Sequence, residues 1–217
     1  MTRVVLMLLI LGGAFLFIAK TLFDFFGGIS GTASVLERDL RSLQDRLREY
    51  LLTPWEHDEM DLLSRQVELS SKMGATSYEQ LGTYQSIYQE PILAFGSKEY
   101  KNRNRRIAAV RYNDREYGFI IRGSKATIYS NGKAKGDILL KDGLKIIRGT
   151  RTLTIDLQSS SDLKPVILNG KPMLFIDADE NPQTDQTRLI QKLASHDDAE
   201  GDLLQLAVAF AVADRLI

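Results

Sequence analysis

From Val4 to Ala19 the chain runs VVLMLLILGGAFLFIA, sixteen residues without a charge. As a helix rising ~1.5 Å per residue this stretch covers about 24 Å. Thr21, Leu22 and Phe23 bring it to about 30 Å, the thickness of a hydrocarbon core, once Lys20 turns its ammonium toward the headgroups. Such a segment cannot be left in water. Residues 1–26 are therefore read as a transmembrane anchor, and the expected location is a membrane, single-pass, of the bacterial inner-membrane kind. A cleaved signal peptide is the rival reading, but the nearest small-x-small pattern, Gly31 to Ala33, lies far downstream. Met1 and Arg3 precede the span and Lys20 and Asp24 follow it, so nearby charge leaves the side of the globular part open.

Composition narrows the rest. The formal net charge is zero, which argues against nucleic acid as a partner. There is no cysteine, hence no disulfide, no thiol catalysis and no Cys-ligated zinc.

Residues 27–54 read as a juxtamembrane amphipathic helix. Ser34 and Glu37 have capping-box spacing. Leu36, Leu40, Leu43 and Leu47 form an a/d stripe that continues to Tyr50, and Pro54 ends the pattern. Two readings stand open: the stripe packs on the protein's own domain or the bilayer surface, or it joins two copies in a homodimer.

Residues 55–217 read as a β-rich globular domain. Val67 and Leu69 alternate weakly with polar neighbours. From Ile107 to Ile176, eight short runs rich in β-branched and aromatic residues are separated by Asn113-Asp114, Gly123-Ser124, Asn131-Gly132, Asp142-Gly143 and Asn169-Gly170. Pairs of this kind supply the positive φ of tight hairpin turns, so the spacing predicts an antiparallel meander. Thr187 to Ala194 reads as a short helix. Leu203 to Ala213 is apolar around nearly its whole circumference yet too short to span a bilayer, so it must be surrounded by protein. The predicted fold is thus mainly β with helices (α+β), an antiparallel barrel-like domain enclosing a hydrophobic C-terminal helix.

Many short hairpin-linked strands followed by the terminal helix DLLQLAVAFAVADRL resemble the tubby C-terminal-like superfamily, which includes the phospholipid scramblases and the LURP-one-related proteins. The resemblance spans roughly residues 60–217. It implies a twelve-stranded barrel around the terminal helix; no tubby signature sequence and no lipid-ligating residue carry over.

Lys98, Lys101, Arg103, Arg105, Arg106 and Arg111 form the densest basic run. Read as a loop, it is a solvated connection or a holder of anionic lipid headgroups, in that order, with nucleic acid last. Asp177 to Asn181 begins like a calcium loop, but Pro182 and Arg188 stand where Gly and Glu belong. His57 and His196 have acidic neighbours without metal-site spacing, and no G-x-S-x-G or phosphate-binding glycine loop is present. No catalytic residue, metal or cofactor is expected. The expected function is a membrane-anchored, non-enzymatic β domain that binds lipid headgroups or an envelope protein partner. The alternative is an assembly factor that oligomerises through the juxtamembrane helix.

Overall fold

The computed structural model describes residues 33–55, 57–101, 104–140, 144–148, 151–155, 163–177, 188–193 and 198–215. The expected anchor lies outside them. No helix among the described residues is long and apolar enough to cross a membrane. The chain divides into two compact units, Met1–Arg38 and Asp39–Ile217. Helix α1, Ala33–Leu47, starts in the first and continues into the second.

Beyond a 3-10 turn at His57–Leu62, the larger unit is β-rich, with twelve strands among the described residues. They are β1 Leu63–Met73, β2 Ser77–Ser86, β3 Pro91–Tyr100, β4 Arg105–Tyr112, β5 Arg115–Arg122 and β6 Lys125–Ser130. The series continues with β7 Lys133–Leu139, β8 Leu144–Arg148, β9 Arg151–Ile155, β10 Leu163–Leu168, β11 Lys171–Asp177 and β12 Ile190–Lys192. All belong to one sheet whose spatial order is the sequence order. Every pairing among the described strands is antiparallel, and each strand pairs with the next in sequence. Asn113, Asn131 and Asn169 have φ of 50°, 47° and 51°, the left-handed geometry the tight turns require. The eight strands expected from Ile107 onward are present, and the weak alternation before them resolves into β1, β2 and β3.

The predicted closed barrel is not formed. The ends of the sheet meet at one antiparallel bridge, Ser64 with Arg188, where the Leu189 N–H donates to the Leu63 carbonyl at 2.7 Å. That is a contact between edges, not a ladder. The sheet is also thin between β7 and β8, joined by the single pair Leu139 and Lys145.

Helix α2, Asp198–Arg215, packs against β3, β4, β5, β9 and β10. Leu204, Val208 and Phe210 are buried, and so are Ala207, Ala209, Ala211 and Ala213. The small side chains alternate with large ones and let the strands come close. Phe210 meets Phe119 edge-on with ring centroids 5.3 Å apart.

Three local expectations are corrected. Residues Ile190–Lys192 form a strand, not a helix, because they pair with Leu174 to Ile176 of β11. Helix α1 stops at Leu47 instead of running on to Pro54. The Arg111 guanidinium donates to the carbonyls of Leu47 and Tyr50, both at 3.0 Å, and the Thr53 N–H then joins the Pro91 carbonyl. Nor is the basic run a long loop: β3 extends to Tyr100 and β4 begins at Arg105.

Candidate basic face of the sheet

The middle of the sheet is covered on both faces. On the inner face Phe95, Ala108, Val110, Phe119 and Ile121 join the cluster around α2. On the outer face Ala94, Ile107, Ala109 and Ile120 are equally buried but stand outside that cluster. Their cover is α1 from Asp39 onward. Gly96, Ala109 and Gly118 lie opposite one another on β3, β4 and β5 and make a smooth row. A Cβ at Gly96 would lie 2.8 Å from a Leu43 methyl, and one at Gly118 would lie 2.8 Å from a Leu40 methyl.

Leu40, Leu43 and Leu47 are therefore buried, and Leu36 is buried as well. The stripe is not the exposed seam that self-association through it would need. Charged groups hold its margins. Lys98 reaches Asp39 at 2.6 Å, and the Tyr100 hydroxyl donates to the same carboxylate at 2.7 Å. Arg48 grips Glu116 with two hydrogen bonds of 2.5 and 2.7 Å, and Arg46 pairs with Glu79. The Arg48 guanidinium is held above its ordinary pKa by the hydrogen bond and charge of Glu116.

This arrangement breaks up the basic run read from the sequence. Lys98 belongs to Asp39, and Arg111 caps α1. Lys101 donates to the Gly74 carbonyl at 3.2 Å. Arg103 lies outside the described residues. Arg106 is paired across the strands with Glu99. Arg105 is engaged within the protein as well, and the sheet gives it new neighbours. It stands directly opposite Arg122 on β5, and Arg122 stands directly opposite Lys125 on β6. Three cations thus occupy adjacent positions on three consecutive strands. All three are on the outer face, Arg122 and Lys125 exposed and Arg105 half-buried. Cβ atoms of opposed residues sit about 4.5–5.5 Å apart, and like charges so placed repel.

The surroundings temper this charge on one side. Lys125 pairs with Asp137 at 2.7 Å, and Thr127 donates to the same carboxylate at 2.7 Å. Those two hydrogen bonds, with help from Arg122, hold the Asp137 carboxyl below its ordinary pKa. Arg122 itself is exposed and has no hydrogen bond or ion pair with the described residues. The Gly123-Ser124 turn and Asn104, all exposed, complete this end of the sheet.

Elsewhere the polar groups serve the fold. The buried Tyr112 hydroxyl donates to Gln205 of α2 at 2.9 Å, and Arg115 joins Gln205 and Asp202. Burial pushes the Tyr112 phenol well above its ordinary pKa. Asp177 of the rejected calcium loop pairs with Arg65. No group of three or more His, Asp or Glu side chains gathers as a metal site among the described residues. Comparison with protein-family models, with curated proteins and with solved structures finds no match.

Proposed function

We propose that this chain is a membrane-tethered, non-enzymatic β domain that binds anionic phosphate groups, those of lipid headgroups, on its outer face. The observation that carries the reading is the row Arg105, Arg122 and Lys125, set in register on neighbouring strands. Each cation near an anionic surface contributes about 1 kcal/mol, and the repulsion within the row is relieved when an anion settles on it. Residues 4–23 serve as the tether and keep the row near headgroups.

The fold reading that accompanies this is of the tubby-like kind, a sheet wrapped as a near-complete barrel around its own terminal helix. Strand number, strict sequential order, the bridge between Ser64 and Arg188 and the burial of α2 support it. A shell filled by its own helix also fits a binding domain better than an enzyme.

The test titrates the intact chain, in neutral detergent at low salt, with dioctanoyl phosphatidylglycerol, dioctanoyl phosphatidylcholine and inorganic phosphate. The anionic lipid should bind in a salt-sensitive way. The double substitution Arg122→Glu with Lys125→Glu should weaken it by about tenfold or more, at ~1 kcal/mol per charge contact. Equal binding of the two lipids would sink the proposal. Equal affinity for inorganic phosphate would move it from headgroups to the free ion.

A further inference from the structure

Strand β1 is long, at eleven residues, and it lies at the end of the sheet order. Its one pairing beyond β2 among the described residues is the bridge at Ser64. From Glu68 to Met73 every residue is exposed, including Leu69 at 50% and Met73 at 73%. The Gly74 N–H closes the hairpin on the Ser77 carbonyl. Alternation from there directs the backbone groups of Lys72, Ser70 and Glu68 toward β2. The N–H and C=O groups of Val67, Leu69, Ser71 and Met73 are thereby left on the outer edge. Natural edges are usually blunted by shortness, proline or inward-pointing charge. From Val67 to Met73 this one has no proline and no break in register; its irregularity lies earlier, between Leu63 and Val67, and its charges, Glu68 and Lys72, are exposed.

We infer that the edge is a homodimer interface, with β1 pairing antiparallel to β1 of a second copy about a two-fold axis at Ser70. The charge pattern selects both occupant and register. A two-fold contact requires that if one residue meets another, the reverse also holds. Glu68 and Lys72 flank Ser70 at equal distance, so this register sets Glu68 against the partner's Lys72 and Lys72 against the partner's Glu68. It also lays the exposed Met73 against the partner's Val67. Centring one residue either way loses both ion pairs. Because Val67, Leu69, Ser71 and Met73 carry the outward hydrogen bonds, Ser70 meets its counterpart in a non-hydrogen-bonded pair, where side chains come closest. The inference is independent of the lipid reading, which concerns β4, β5 and β6.

The chain has no cysteine, so single cysteines report without background. The intact protein in neutral detergent carries Ser70→Cys or Ser71→Cys and is exposed to a mild oxidant. Ser70→Cys should give several-fold more covalent dimer, since its pair meets disulfide geometry and the Ser71 pair does not. Lys72→Glu should weaken the dimer measured by light scattering, and adding Glu68→Lys should restore it. Monomeric Ser70→Cys, equal crosslinking at both positions, or no rescue by the charge swap would each overturn the inference.

Discussion

A valine at position 118 would have no room. The Cβ alone would stand 2.8 Å from a Leu40 methyl and 3.3 Å from the Gln44 amide nitrogen. Gly118→Val should therefore lower stability by ~1–3 kcal/mol, the usual cost of overpacking. Chemical denaturation of the intact chain checks this, and the loss should shrink when Leu40→Ala makes space, a coupling that a double-mutant cycle reads directly. Tyr112 gives a pH prediction. Its folded pKa is raised, so its stabilising effect is complete below the unfolded value of ~10 and is lost as pH rises above it. Stability should fall above about pH 10, and Tyr112→Phe should flatten that fall. The basic row was legible residue by residue. A two-residue turn at Asn113-Asp114 sets Tyr112 opposite Arg115 and, stepping back along both strands, Arg105 opposite Arg122. The turn at Gly123-Ser124 then sets Arg122 opposite Lys125. Reading the charges as a linear run missed this, because neighbours on a sheet are chosen by turns and not by sequence distance.

Among elements, α2 showed most plainly in the sequence, because a helix apolar all round has nowhere to go but inside. Phe210→Ala should cost ~3–5 kcal/mol, a large share of a domain stability of ~5–15 kcal/mol, measured as a shift in the denaturation midpoint. The start of α2 was less legible: it begins at Asp198, ahead of the apolar run, and Asp202 pairs with Arg115. Helix α1 showed its stripe but not its partner. The row that receives Leu40 and Leu43 comes from three strands far along the chain, and glycines carry no hydrophobic signal of their own. The stop at Leu47 is likewise tertiary. Arg111→Ala should remove a charged donor from two carbonyls, at ~1.5–3 kcal/mol, and raise amide exchange over residues 44–50. Strand β12 was misread because its three residues have too little length for a period; only pairing with β11 makes them extended.

At the scale of the whole molecule, one helix and one sheet depend on each other. The sheet runs in chain order and meets itself at Ser64 and Arg188. Its inner face is apolar over β2 to β6 and β9 to β11 and would be ruinously exposed without α2. The outer face divides between α1 over the middle strands and the basic row beside it. Short local connections made the meander legible, whereas the degree of closure depends on edge contacts between residues more than a hundred positions apart. Native-state hydrogen exchange on the intact chain tests the dependence of sheet on helix most directly. The amides of residues 203–213 should exchange only through global unfolding, in the same slowest class as those of β4 and β5. Exchange of the helix well ahead of those strands would mean that the sheet holds together without it, and the architecture described would be wrong.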